Sequence, residues 1–284
     1  MRPRSDIHAL SSPLSVIIQS DTVPLDFDLQ TLWDHRELLY FLVWRDIKVR
    51  YKQTVVGIAW ALLQPLAIAL SIILLLGRVV RLPVGDLPYP VFAYAGMVVW
   101  QFLSQTVSES SNSLLANEQL VTKVYFPRLL LPLSTVLASS LDFVLNLLVL
   151  GGFLAWFQIT PQVRLLLLPV FAALVGVTAF GIGLWLSALN VKYRDVRYTV
   201  SFLIQFWFFA TPIAYPVSAV PERWQQWYAL NPMVGAVEGF RWALRGTGEA
   251  PIHALVVSFA VTVIVFVTGL FYFHRSEDTF ADFI

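Results

Sequence analysis

Residues 45–76 read RDIKVRYKQTVVGIAWALLQPLAIALSIILLL, and the chain changes solvent inside them. The first eight positions carry Arg45, Asp46, Lys48, Arg50 and Lys52, whereas no side chain from 55 to 76 is charged. At 1.5 Å rise per residue, the uncharged part reaches ~33 Å as a helix, about the hydrocarbon thickness of a bilayer. A charged collar meeting an apolar run of that length marks the start of a membrane span.

Upstream, positions 38–51 place Tyr40, Val43, Trp44, Ile47 and Tyr51 at three- and four-residue steps, with Arg45, Lys48 and Lys52 on the opposite face. This is the pattern of an amphipathic interface helix. A soluble helix would show the same period, but this one runs directly into a span, which favours a helix lying on the cytoplasmic surface. Tyr40, Trp44, Arg45 and Lys48 are its expected anchors. The chain divides accordingly into a polar tail (1–31), the interface helix (32–53) and a membrane domain (54–284).

Composition points the same way. Of 284 residues 57% are hydrophobic and 13% charged, and the mean hydropathy is +0.69, whereas a soluble domain carries about a quarter charged residues. The expected class is an all-α integral membrane protein. The net charge of +1 is no nucleic-acid signature, since the basic residues sit at segment ends. Without cysteine there is no disulfide framework, thiolate nucleophile or Cys-ligated metal. The apolar stretch 14–18 is too short for a secretory signal.

Uncharged runs near spanning length occur at 55–77, 91–108, 129–157, 165–189, 198–220 and 251–273. Six spans are expected, with the second the shortest and wettest and the third interrupted by Asp142. With the N-terminus inside, thirteen of the nineteen Lys and Arg residues fall on inner segments, which favours both termini in the cytoplasm.

The inner loop after the second span has Leu114, Leu115, Leu120, Val121 and Val124 at helical spacing around Glu118 and Lys123. It reads as a short cytoplasmic helix stopped near Pro127. In the fifth span Pro212 and Pro216 remove backbone donors beside an aromatic cluster at 206–209, so that helix is bent or broken near the outer leaflet. Pro221 and the Asn231-Pro232 pair are helix starts. The two short helices they open, with Trp224, Trp227, Glu238 and Arg241, are expected at the outer interface or as a re-entrant hairpin.

Chemistry in the chain itself is sparse. It has no G-x-x-x-x-G-K-[ST] phosphate loop, no H-E-x-x-H pair and no G-x-S-x-G elbow. His8, His35, His253 and His274 lie at span ends or in tails, so no metal site is expected. Asp142, an acid deep in a span, stands in two readings. It lines a hydrated path or titrates, or it is neutral and bonds a neighbouring helix with Asn146 one turn away. Phe202, Phe206 and Phe209 share one face of the fifth span and Trp60 lies inside the first, where an interfacial belt does not account for them. They either pack against helices or lipid, or offer flat apolar walls to sugar rings.

Four stretches, RDIKVRYKQTVVGIAWALLQPL, KVYFPRLLLPLSTVLASSLDF, YRDVRYTVSFLIQFWFFATPIAYP and LNPMVGAVEGFRWALRG, spread in order over some 200 residues, resemble the permease subunits of ABC-2 type exporters. The likeness is to those that export lipid-linked polysaccharides such as O-antigen, capsule and teichoic acid. The resemblance implies a homodimer of six-span subunits in the cytoplasmic (inner) membrane around a central channel, with two ATPase subunits beneath. ATP and Mg would sit on those partners, and this chain would hold no cofactor and catalyse no reaction. It implies an interface helix matching 38–52 and a coupling helix matching 112–125, with Leu115, Glu118, Leu120, Val121 and Lys123 meeting the ATPase. Undecaprenyl-linked glycan would leave the inner leaflet along Trp60, Asp142, Phe202, Phe206 and Phe209.

Rival classes lack their signatures. A proton-coupled flippase needs paired intramembrane ionisable groups or repeats, and a polytopic glycosyltransferase or intramembrane protease needs clustered acids or a Ser and His pair at membrane depth. Export of a drug or small lipid by an ABC-2 system stays open. A reporter fused after Ile284 is expected to read cytoplasmic and one inserted at 83–88 external; the same side for both would overturn the six-span topology.

Overall fold

The computed structural model describes residues 29–52, 59–75, 86–193, 195–245, 247–277 and 280. Among them the chain is helical, with no strand. The helices are α1 (Leu29–Asp34), α2 (Arg36–Lys52), α3 (Ala59–Ile72), α4 (Tyr89–Ala116), α5 (Glu118–Lys123), α6 (Leu130–Trp156), α7 (Leu168–Lys192), α8 (Val196–Phe209), α9 (Glu222–Tyr228), α10 (Pro232–Arg245) and α11 (Ile252–Glu277).

The helix α4 is the centre of the bundle. It packs against α3, α6, α7, α8 and α10, and every residue from 91 to 100 is buried. Its flanks meet protein instead of lipid, so its second half tolerates Gln101, Ser104, Gln105, Ser108 and Glu109. The outer ring is the reverse. Three segments are long and apolar enough to cross a membrane by length and composition, Leu130–Trp156, Val163–Lys192 and Ile252–Glu277. They expose Leu141, Leu148, Val170, Phe259, Ile264 and Phe271, an apolar outer wall that suits hydrocarbon and not water.

Close helix approach holds α7 to α11. A Cβ on Gly181 would lie 2.7 Å from Phe266 Cα, and one on Gly269 2.3 Å from the Gly181 carbonyl oxygen, so only hydrogen fits at either place. Beside this contact the Thr178 and Thr262 hydroxyls bond at 2.8 Å, and Trp185 stacks on Tyr272 at 4.4 Å.

The expected spans 129–157 and 251–273 are found as α6 and α11, and 165–189 as a 3-10 turn (Val163–Leu167) leading into α7. Two expectations need correction. The helix α4 does not stop at Ser108 but continues to Ala116, because its polar second half is covered by neighbours. The stretch 198–220 is broken, as its prolines lead one to expect: α8, fourteen residues long, ends at Phe209, ~21 Å at 1.5 Å each. The inner-face helix is also shorter than 112–125. Asn117 leaves the helical conformation (φ −118°, ψ 29°) and its side-chain amide donates to the Ser113 carbonyl at 2.7 Å, ending α4 before α5 begins.

Candidate functional site

Beyond the C-terminal end of α8, Pro212 and Pro216 break the helix and leave carbonyls without intrahelical donors. The donor is Arg241, which is 0% exposed. Its Nη1 donates to the Pro212 oxygen at 2.6 Å, its Nη2 to the Ile213 oxygen at 2.5 Å and its Nε to the Phe92 oxygen at 3.2 Å. Its charge is met by Glu238 at 3.3 Å, and the guanidinium carbon sits 3.5 Å over the Phe92 ring. Room comes from Gly96, where a Cβ would approach Arg241 Nη2 to 2.6 Å and the Ile213 oxygen to 2.7 Å.

Asn231 joins the same break to α10. Its Oδ1 caps the helix by accepting from Met233 N at 3.0 Å and also from Trp207 Nε1 at 3.0 Å. Its Nδ2 donates at 3.0 Å to the Ala210 oxygen and to Thr211 Oγ1. Tyr215 donates to the Phe209 oxygen at 2.8 Å and meets the Tyr228 hydroxyl at 2.7 Å. Burial, then that bond, raises Tyr228 above the ordinary phenol range.

The two outer helices are therefore unlike each other. In α9, Trp224 and Trp227 are exposed as an interface helix requires, but α10 is buried almost throughout, with Phe240 and Arg241 in the core. Of the two expected placements, outer interface or re-entrant hairpin, a purely interfacial one does not fit α10, whose apolar face meets α4, α7 and α11.

Phe202, Phe206 and Phe209 are 66%, 65% and 69% exposed, on a single face of α8. The opposite face packs inward, Trp207 and Phe208 both edge-on to Trp100 at 5.8 and 5.7 Å. Trp60 lies on α3, but its side chain is outside the described residues.

Asp142 is 3% exposed and enclosed by α2, α4 and α6. Arg50, from the last turn of α2, pairs with both Asp142 and Glu109. The Gln105 amide donates to Asp142 Oδ2 at 2.7 Å and to Glu109 Oε1 at 3.3 Å. Asn146, one turn on, gives its amide to the Asp142 backbone oxygen and accepts from Tyr94. Asp142 thus faces an ion pair inside the protein. Glu109 escapes a reading by hydropathy because it lies one residue beyond the uncharged run that ends at Ser108. The signal was there: Gln105 and Glu109 lie one turn apart on one helix face.

The structure turns the apolar side of α5 toward its own bundle. Val121 is buried, and Leu115 and Leu120 pack onto a cluster with Leu42, Leu114, Leu130 and Phe273. Glu118, Lys123, Val124 and Tyr125 are exposed, Tyr125 completely. Along α2, Tyr40 and Trp44 face outward, Arg45 pairs with its neighbour Asp46 at 2.8 Å and Lys48 Nζ lies 5.4 Å from the Trp44 ring centroid. Leu42 is buried, and the polar Asp46 and Arg50 on the same side are half-buried. Among the described residues no group of three His, Asp or Glu side chains is placed to hold a metal.

Residues 37–244 match the ABC-2 type transporter family. The chain is 32% identical over 264 residues to the O-antigen export system permease protein RfbA of Myxococcus xanthus, covering 90% of this chain and 98% of that one. To the RfbA protein of Klebsiella pneumoniae it is 28% identical over 264 residues, 93% and 100% of the two chains. The polysialic acid transport protein KpsM of Escherichia coli is 25% identical over 202 residues, 68% and 76% of the two chains.

Replacing Arg241 with Met is expected to leave the carbonyls at 212 and 213 and the Glu238 carboxylate without their donor, at roughly 1–3 kcal/mol for each buried group. Thermal unfolding in detergent is expected to show a large drop for Arg241→Met and a smaller one for Arg241→Lys, which reaches one carbonyl only. Trp224→Ala, on the exposed α9, is the control, expected within about 0.5 kcal/mol of the parent.

Proposed function

Because the chain belongs to the ABC-2 type transporter family, we propose that it is the membrane-spanning, channel-forming subunit of an ATP-driven exporter of lipid-linked polysaccharide. The observation that carries the reading is similarity over nine-tenths of the chain to permeases named for O-antigen export. Those names weigh against a drug or small-lipid cargo.

Six spans are assigned to α3, α4, α6, α7, α8 and α11. Helix length and composition select three of them among the described residues. The helix α4 is hidden inside the bundle, and α8 completes its crossing through the irregular segment that Arg241 holds. Both ends are assigned to the cytoplasm and two copies to a closed channel, with undecaprenyl-linked glycan as cargo. A separate pair of ATPase subunits carries ATP and Mg and does the hydrolysis; this chain breaks no bond in the substrate.

The aromatic face of α8 is assigned to the conduit. Rings at 202, 206 and 209 stand clear of their own subunit, so they are available to a passing chain, and flat faces hold successive sugars weakly without fixing any one. Tyr125 and Val124, with Glu118 and Lys123 beside them, are assigned to the ATPase contact, because Leu115, Leu120 and Val121 are already used inside the bundle.

Reconstitution with the ATPase tests both assignments. Phe206→Ala and Phe209→Ala, being exposed, are expected to keep the folded amount of complex, sparing the roughly 3–5 kcal/mol that a buried Phe would lose, while lowering export of glycan. Normal export by both variants would remove these rings from the route. Tyr125→Asp is expected to leave the subunit folded but reduce co-purification of the ATPase, whereas retention at the parental ratio would place the contact elsewhere.

A further inference from the structure

Arg50 holds a position that no other described side chain shares. It stands at the end of a surface helix, yet its two terminal nitrogens go to acids on two different helices of the bundle, Glu109 on α4 and Asp142 on α6. A planar guanidinium fork can make two such bonds at once, whereas an ammonium is a single point charge. Asp142 has little alternative: Oδ2 takes Arg50 and Gln105, and Oδ1 is buried with no hydrogen-bond partner.

The rest of α2 is laid against α6 along the same side. Leu42, Asp46 and Arg50 are four residues apart. Leu42 enters the apolar cluster with Leu130 and Leu131, Asp46 accepts from Ser134 Oγ at 2.9 Å and Arg50 closes on Asp142. Other polar groups facing the cluster are Ser139, 3.4 Å from Glu109 Oε2, and Arg45, occupied by Asp46. The apolar cluster that seats Leu42 also contains Val121 of α5 and Phe273 of α11. Inner-face helices α2 and α5 therefore form one packed block with the inner ends of α6 and α11. From that block Arg50 reaches the acids of α4 and α6.

We propose that Arg50 is a positioning residue for transport: its fork locks α2 to α4 and α6, so that a displacement imposed on the inner-face block is carried to the two acids, the buried Asp142 and the half-buried Glu109. This rests on reading the chain as the transport subunit of an ATP-driven exporter. Removing the fork uncouples ATP hydrolysis from export without removing the ATPase.

The test uses the reconstituted complex with its ATPase and two kinds of variant. Arg50→Lys keeps the charge and loses the fork. The triple variant Arg50→Gln, Glu109→Gln, Asp142→Asn removes all three charges together and orphans none. Both are expected to retain the ATPase and basal hydrolysis within about twofold, while glycan exported per ATP falls about tenfold, within the usual range of coupling between sites. Export per ATP at the parental value in Arg50→Lys overturns the proposal, and that variant decides alone if the triple variant does not assemble.

A second readout needs no cargo. Spin labels at the exposed Val49 on α2 and Leu148 on α6 report a distance distribution that is narrow in the parent and broadened in both variants. An unbroadened distribution overturns the lock. A parent complex that hydrolyses ATP but exports no polysaccharide overturns the cargo reading, while the label distances still decide Arg50.

Discussion

A fully buried guanidinium, Arg241, is the point on which the outer half of the molecule depends. Two prolines break α8 where hydrocarbon or protein surrounds the chain, and a broken backbone there must find donors. Arg241 supplies them for residues 212 and 213 while reaching a carbonyl of α4 with Nε. A buried charge of this kind is stable only if paired and fully hydrogen-bonded. Glu238 provides the pair, Gly96 the room and the Phe92 face the remaining contact. The end of α8, the helix α10 and the first turns of α4 are consequently one structural unit.

That unit fixes what α8 can present. With Trp207 and Phe208 packed against Trp100 and the break held by Arg241 and Asn231, the remaining face of the helix carries three phenylalanines away from the subunit. The same division runs through the whole bundle. Polar residues concentrate on the central α4, where neighbouring helices cover them, and apolar residues coat the outer α6, α7 and α11. Small residues let α7 and α11 touch backbone to backbone, a contact that dispersion and short polar bonds stabilise when lipid removes the hydrophobic drive.

At the inner end the organising charge is Arg50. Its two acids would be costly to leave alone in a bundle interior, and the hydrophobic cluster around Leu42 and Val121 joins the surface helix to α5. The apolar positions of α5 are spent on this internal packing, while Val124, Tyr125 and the charged residues beside them remain exposed.

The sequence by itself determined the solvent of this protein, its helical class, the break at Pro212 and the cap at Asn231, because these follow from local composition, period and backbone chemistry. It also placed the long outer helices within a few residues, since a helix facing lipid must be apolar along its length. What only the tertiary structure decided was which residues meet. Glu109 and Arg50 look like ordinary charges near a membrane surface until α4 and α2 bring them to Asp142, 33 and 92 residues away in the chain. Arg241 looks like an outer-interface residue until α10 is seen buried. A period of 3.6 residues says which side chains share a face, but the partner of that face is set by packing between distant segments, and the burial of a charge is decided there.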